Sequence, residues 1–374
     1  MVTYPPSWSG LSVALAHDWL TGMRGGERVL EHLCCGLPRA PIHALIHNPA
    51  AISATINAHP VTTSWLQRVP GIHARYRWFL PCYPQAIGRM APPDAAVLIS
   101  TSHCAAKGLR TRPGAKHLCY CFTPMRYAWT FHDEYFGRNP VKRLAVSPLL
   151  AALRDWDRRT SERVDRFVTL SRHVQDRIRR FYGRAADVVY PPVDTDFFTP
   201  GAEEAHGGYD LIVSALVPYK RVDLAVHAYR RLGWPLKIAG TGTGYESLRR
   251  LAGPQVEFLG WQSDEQLRAL YRQARLLLFP GEEDFGIVPL EAQACGRPVV
   301  AFARGGVLET VLAGETGVFF TEQTEAALLA AVETAAAQCW SRDTIRRQAE
   351  RFAPQYFLDG LARSLERCLA GEGR

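Results

Sequence analysis

Two glutamates, Glu283 and Glu291, stand on either side of a glycine that opens a helix. The stretch from Leu276 to Glu309 reads LLLFPGEEDFGIVPLEAQACGRPVVAFARGGVLE. Leu276 to Phe279 is a short apolar run of the kind that forms a buried parallel strand. Pro280 and Gly281 end it, and Glu282, Glu283 and Asp284 follow in the turn. The pattern predicts a helix from Phe285-Gly286-Ile287-Val288 through Glu291 to Gly296, with Pro289 in the first turn, where its missing N–H is not needed. Such a helix start exposes unpaired N–H groups and positive dipole charge, a seat for phosphate or sugar oxygens. Gly286 lets a ligand approach the backbone. Glu283 lies just before the seat and Glu291 about two turns into the helix, so two carboxylates close the ends of one ligand-sized span. Carboxylates accept hydrogen bonds from hydroxyl pairs, which sugars and ribose present. The plainer reading is a solvated acidic cap; the flanking strand and glycines weigh against it.

Cations stand where such a ligand would need them. Lys220 and Arg221 end the loop Leu216-Val217-Pro218-Tyr219, at a strand-to-helix turn, and suit a diphosphate leaving group. A merely solvated basic start is disfavoured, because cations oppose the helix dipole there. Earlier in the chain, Gly25 and Gly26 follow the first strand, where open parallel sheets bind ligands. They would admit a donor diphosphate or an acceptor to the backbone; a plain tight turn is the alternative. His103 and Lys107 follow the strand Ala95–Ser100, and Arg126 follows His117–Phe122, so all three are candidates for acceptor or phosphate contacts. A satisfied structural histidine is the competing reading of His103. Asp155-x-Asp157 and Asp194-x-Asp196 copy a metal-binding D-x-D pattern, but one falls inside a helix and the other in a linker, so no metal is expected.

Composition narrows the class. At 374 residues the chain is long for one core and suits two domains. No apolar run approaches the roughly 20 residues of a membrane span. The start of the chain has two prolines and no basic-then-apolar design, so no secretory signal is expected. Nine scattered cysteines without paired zinc spacing read as reduced thiols of a cytoplasmic protein. The net charge of +8 implies acidic partners. No nucleic-acid motif is present, which leaves nucleotide phosphates and an anionic membrane face. Ser64 to Met90 bears on the second: Arg68, Arg75, Arg77 and Arg89 alternate with Trp65, Tyr76, Trp78, Phe79 and Tyr83. That suits peripheral attachment to the inner face of a membrane, or a core-packed helix pair with snorkelling arginines.

The elements that must carry these residues alternate strand and helix twice. Strands are predicted at Leu11–His17, Ala95–Ser100, His117–Phe122, Arg166–Leu170 and Val188–Pro192, then at Tyr209–Ala215, Pro235–Ala239, Val256–Leu259, Leu276–Phe279 and Val299–Ala303. Helices are predicted over Arg28–Leu37, Leu149–Val164, Ser171–Arg180, Thr324–Gln338, Ser341–Phe352 and Phe357–Leu369. An irregular Gly/Ala/Glu-rich stretch, residues 201–208, separates the halves.

The run EDFGIVPLE followed by AQACGRPVVA resembles the donor site of glycosyltransferase family 4, retaining enzymes of GT-B architecture. The resemblance implies an α/β fold of two doubly wound Rossmann-like domains facing across a cleft. Residues 1–195, completed by a C-terminal helix at 355–374, would bind the acceptor, and residues 196–354 the nucleotide sugar. It implies that Glu283 touches the donor sugar, that Glu291 binds the ribose, and that the backbone of Phe285, Gly286, Ile287 and Val288 faces sugar and phosphate. The turn Gly240–Gly244, with Gly242 at its centre, would hold the diphosphate or base, and Gln262, between Trp261 and Ser263, would meet the base through the backbone. VPYKRVDLAV resembles the family's phosphate loop, giving Lys220 and Arg221 to the leaving group. HDWLTGMRGGERVL and CYCFTPMRYAW are similar to a WbaZ-like mannosyltransferase branch. That branch implies transfer of mannose from GDP-mannose to a saccharide acceptor, lipid-linked, in surface-polysaccharide assembly, with no cofactor beyond the nucleotide-sugar co-substrate. A UDP-glucose-type donor, a nucleotide-sugar epimerase or hydrolase, and a silent binding subunit are the alternatives. Two positions depart from the family pattern: Phe122 replaces a histidine that lies near the reacting carbon, and Ala215 replaces an arginine. His103 or His132 could compensate for the first, and Lys220 for the second.

Overall fold

The computed structural model describes residues 4–5, 8, 10–130, 140–202 and 207–372. The chain forms two compact units, one of Met1–Pro191 with Pro354–Arg374, the other of Pro192–Ala353.

The first unit holds a seven-stranded sheet of β1 (Val13–His17), β2 (Ile42–Ala44), β3 (Val61–Thr63), β4 (Val97–Ser102), β5 (Lys116–Cys121), β6 (Arg166–Thr169) and β7 (Ala186–Val188). The order is β3-β2-β1-β4-β5-β6-β7, with every pairing parallel. A parallel sheet is covered on both faces, so its central strands are buried at every position, and mostly apolar, rather than alternating. β1 obeys this: VALAH is buried throughout, its histidine included. The helix Arg172–Tyr182 shows how the covering layer is specified. The Ser171 hydroxyl accepts from the Val174 N–H at 3.1 Å, Val174, Ile178 and Tyr182 recur on the buried face, and Gly183 ends the helix in the left-handed conformation. The last helix, Pro354–Leu369, packs on this unit, its Phe357 ring 5.7 Å from Tyr120.

The second unit holds six strands: β8 (Tyr209–Val213), β9 (Leu236–Ala239), β10 (Val256–Gly260), β11 (Ala274–Phe279), β12 (Val299–Phe302) and β13 (Gly317–Phe320). Their order is β10-β9-β8-β11-β12-β13, again parallel. Strand order reverses between β1 and β4 in the first sheet and between β8 and β11 in the second. Loops leaving the carboxyl ends of those strands flank a crevice, the place where such sheets bind ligands.

Three strands are absent from the sequence reading: β2, β3 and β13. The first two have three residues each, too short for any periodicity, and the third begins at a glycine. β7 also sits earlier than expected, because Val189 to Pro192 leave the sheet. His132 lies outside the described residues, as does part of the expected linker.

Candidate active site

The two loops at the second unit's strand-order reversal are joined by an ion pair. Lys220, in the loop after β8, contacts the Glu283 carboxylate, in the loop after β11. The Lys220 side chain is 13% exposed and that of Glu283 26%. The backbones that carry them touch. A Cβ on Gly281 would lie 2.8 Å from the Lys220 Cα, so glycine is required there for the two loops to meet. The acid loop is held from the other side as well. Glu283 pairs with Gly305 as a short parallel bridge, and the Gly306 N–H donates to the Glu283 carbonyl at 2.9 Å. A Cβ on Gly306 would come within 2.4 Å of the Asp284 oxygen and the Phe285 Cα. Three loops are thereby locked backbone to backbone, and their side chains are the parts left to move.

The expected helix starts at Ile287 and runs to Ala294. Gly286 caps it at φ +100°, a conformation other residues rarely adopt. Phe285 is buried 5.9 Å from Phe352, so this residue can meet a ligand through its backbone only. Ile287 and Val288 are half-buried at the helix start. Glu291 is half-buried and accepts the Tyr271 hydroxyl at 2.7 Å. Tyr271 is fully buried; burial first, and the Glu291 charge second, push its phenol well above the usual range, so it stays a donor. Tyr271 is a partner that sequence reasoning missed: it lies in the helix Asp264–Gln273, with no motif to link it to Glu291.

Arg221 is the one non-glycine residue at positive φ among the described residues, at φ 53°. Strain of this kind costs about 1–3 kcal/mol and marks a position that the surroundings enforce. Its guanidinium reaches Asp223 at 3.3 Å and the Gln323 side-chain oxygen at 3.1 Å, and Gln323 in turn donates to the Pro280 carbonyl at 2.9 Å. Arg221 therefore braces the acid loop, while Lys220 carries the charge at Glu283. Gly242 is exposed, and its missing side chain admits the Leu216 backbone: a Cβ there would lie 2.3 Å from the Leu216 oxygen. The Gln262 amide donates to the Leu259 and Trp261 carbonyls at 2.8 and 3.0 Å, shaping its own loop, beside the exposed Trp261.

The first unit pairs an acid and a base across its own strand-order reversal. Asp18 follows β1 and His103 follows β4, with His103 Nδ1 donating to Asp18 Oδ2 at 2.9 Å. Asp18 is completely buried and accepts four backbone N–H groups, from His103 (2.6 Å), Cys104 (3.0 Å), Ala105 (2.5 Å) and Ala106 (2.6 Å). Burial alone would raise its carboxyl. The charge and hydrogen bond of His103, the charge of His17 and the His103 N–H outweigh that and hold it well below the carboxylate range. The His103 ring stands edge-on to Trp19 at 4.6 Å and tilted against Phe122 at 6.4 Å. With Nδ1 bound to Asp18, the lone pair of neutral His103 is directed to Nε2. Asp18 is the second residue missed from sequence; an aspartate inside a turn gives no hint that it gathers the N–H groups of another loop.

Beside this pair, His17 Nδ1 lies 2.7 Å from the Thr101 hydroxyl and His17 Nε2 lies 3.8 Å from Glu27, both side chains buried. Glu27 is held low against its burial by His17 and by the chain's own N–H groups. Gly25 opens the helix Gly25–Gly36 with open space around it. Gly26 faces Phe122, whose ring a Cβ would meet at 3.3 Å.

One expectation needs correction. Lys107 is not a ligand group: it is fully buried, ion-paired with Asp157 and over the Trp156 and Tyr182 rings. Asp157 also accepts from Trp129 Nε1 at 2.8 Å and the Tyr182 hydroxyl at 2.7 Å. Among the described residues no cluster of three His, Cys, Asp or Glu is arranged to hold a metal. Arg126 opens the single turn Arg126–Trp129, half-buried. All nine cysteines are free. In the Ser64–Met90 segment, Leu66, Ile72, Tyr76, Leu80, Tyr83, Ile87 and Met90 pack into the core. Trp78 stays 79% exposed, with Arg75 6.0 Å from its ring centroid. Among the described residues, no helix is long and apolar enough to cross a membrane.

Comparison with known proteins agrees with this layout. The sequence profile of Glycosyltransferase Family 4 matches residues 23–197, and that of Glycosyl transferases group 1 matches residues 205–352. The D-inositol 3-phosphate glycosyltransferase of Mycolicibacterium smegmatis is 40% identical over 169 residues, 40% of this chain and 38% of the relative. An uncharacterised glycosyltransferase of Methanocaldococcus jannaschii is 27% identical over 158 residues, 41% of this chain and 44% of that protein. The matched region thus spans well under half the length of these curated relatives. Among solved structures, sucrose-phosphate synthase from Thermosynechococcus elongatus superposes with a TM-score of 0.71 at 18% identity, covering 96% of this chain and 99% of that one. Anabaena HepE in complex with UDP and glucose gives 0.68 at 18%, covering 95% and 99%. At such identities these likenesses carry the fold. Two profiles that follow one another along the chain, on two all-parallel sheets shared with solved glycosyltransferases, show that this chain belongs to the family 4 glycosyltransferases and has the GT-B fold.

Proposed function

We propose that the chain transfers a hexose from a nucleoside diphosphate to a saccharide hydroxyl, with retention at the anomeric carbon. The observation that carries this reading is the acid loop of the second unit. It puts Glu283 against Lys220 at the strand-order reversal, with Glu291 on the helix that Gly286 opens. Glu283 orients the sugar through its hydroxyls and Glu291 holds the ribose diol. The bond from the anomeric carbon to the phosphate oxygen breaks as the acceptor oxygen bonds to that carbon, and the departing phosphate takes the acceptor's proton. Lys220 stabilises the charge growing on the diphosphate, and the braced Arg221 keeps the loop in place. In the first unit, Asp18 holds the His103 ring so that Nε2 of the neutral imidazole can accept a hydrogen bond from a second, non-reacting hydroxyl of the saccharide.

Mannose from GDP-mannose is the donor proposed first, on the likeness of HDWLTGMRGGERVL to the WbaZ-like branch; a UDP-hexose is the alternative. The acceptor is proposed to be lipid-linked. The exposed Trp78 and its neighbouring arginines support docking to an anionic membrane face. A silent binding subunit is a second reading, because Phe122 offers no hydrogen bond beside His103 and Ala215 carries no charge where the family pattern has an arginine. Calorimetric titration with GDP, UDP and ADP tests the donor site. Turnover of GDP-mannose or UDP-glucose with membrane glycolipid extract then separates transfer from silent binding. Absence of binding by all three nucleotides overturns the reading.

A further inference from the structure

Glu283 and Lys220 are assigned above to different parts of the donor, the sugar and the diphosphate, yet the structure has each occupying the other. We infer that this ion pair is a latch which the diphosphate opens: phosphate oxygens take Lys220, and the released Glu283 carboxylate then turns to the sugar hydroxyls. The inference rests on the nucleotide-sugar reading and adds a coupling between its two halves.

Three observations support it. First, both side chains are only partly exposed, so separating the pair leaves two incompletely solvated charges, a cost that a new partner of opposite charge or matching hydrogen bonds offsets. Second, the backbones cannot provide the movement. Gly281 is packed on the Lys220 backbone, and Glu283 is bridged to Gly305 and Gly306. Exchange of partners must therefore occur by side-chain rotation within a fixed frame. Third, the neighbouring cation is already engaged: Arg221 is tied to Asp223 and Gln323, so Lys220 is the cation that a diphosphate would recruit at this loop. A free nucleoside diphosphate must displace a carboxylate to gain Lys220 and leaves Glu283 without a partner. A nucleotide sugar displaces the same carboxylate but gives it hydroxyls to bind. The pair thus discriminates against the bare nucleotide, which is also the reaction's product.

The test is a double-mutant cycle read by calorimetry with two probes, the nucleoside diphosphate that the wild type binds and its hexose conjugate. Glu283→Gln should tighten the bare diphosphate about three- to tenfold, the range expected for freeing one partly buried cation. The hexose conjugate should bind no tighter, or more weakly. In a Lys220→Met background the gain on Glu283→Gln should vanish, because no cation is left to free. A gain that persists in that background reflects simple charge repulsion and overturns the latch. Unchanged or weakened diphosphate binding in Glu283→Gln, with an unaltered unfolding curve, also overturns it. Should that variant misfold, Lys220→Met alone decides. Under the latch it narrows the affinity gap between the two probes by at least about threefold, and an unchanged gap removes the proposal. A wild type that binds neither probe removes the nucleotide-sugar reading itself, a different result from any of these.

Discussion

Replacing Asp18 with asparagine should release the loop after β4 without altering any surface. The carboxylate accepts four backbone N–H groups and the His103 imidazole from inside the first unit. Asparagine keeps one oxygen and turns its amide, a donor, toward the other half of those donors. Two charge-assisted bonds are lost, at about 1.5–3 kcal/mol each, and the opposed N–H groups stay desolvated. A cost of about 4 kcal/mol follows from these terms, a large share of the roughly 5–15 kcal/mol that holds a domain folded. Hydrogen exchange at the amides of His103, Cys104, Ala105 and Ala106 is the suitable assay, because it reads this loop rather than a two-unit average. Protection of those amides should fall about a thousandfold at pH 7, since each pKa-unit equivalent is about 1.4 kcal/mol. Folding depresses the Asp18 pKa, so its stabilisation is complete above the unfolded value of about 3.9 and is lost as pH falls through the lower folded value. The gap between wild type and Asp18→Asn should therefore persist at pH 5 and begin to close only below about pH 4. A loss under tenfold at pH 7, or a gap that closes near pH 6, would refute the reasoning.

Other outcomes follow from the same geometry. Glu291→Ala should weaken nucleoside diphosphate binding at least about tenfold in calorimetry, the cost of leaving a ribose diol and the Tyr271 hydroxyl without an acceptor; unchanged affinity removes the ribose assignment. Gly286→Ala should lower thermal stability by about 1–2 kcal/mol from its φ of +100° alone, and weaken nucleotide binding as the helix start shifts. Lys107→Met should destabilise by about 3–5 kcal/mol in urea unfolding, because Asp157 is left buried and charged, with nucleotide affinity unchanged. Trp78→Ala with Arg75→Ala should abolish sedimentation with phosphatidylglycerol vesicles and leave binding to neutral vesicles unaffected; equal loss on both would argue against an anionic membrane face.

Much of this architecture could be read from the residues alone. Short, wholly apolar runs such as Leu276–Phe279 and Val299–Ala303 mark central parallel strands, and the helices expected to begin at Ser171, Thr324 and Ser341 do so, each with that hydroxyl as its cap. The acid loop was legible because its chemistry is local: carboxylates, a glycine and a helix start adjoin in sequence. What could not be read is long-range. Lys220 and Glu283 lie 63 positions apart, Asp18 and His103 lie 85 apart, and only the strand order brings either pair together. Lys107 was misread for the same reason. Its position after β4 suggests a ligand, but Asp157, on the helix Pro140–Ser161, draws it inward. Short strands such as β2 and β3 carry too few residues for any pattern to emerge.

The contact of Gly305 and Gly306 with the acid loop also limits how this site can diversify. Any larger residue at either position would drive its β-carbon into the backbone at Glu283, Asp284 or Phe285. The loop after β12 is therefore closed to variation for two residues, and the first freely variable side chain beyond it is Leu308, which is 52% exposed. A library meant to vary this loop should leave the glycine pair untouched and randomise Leu308 instead.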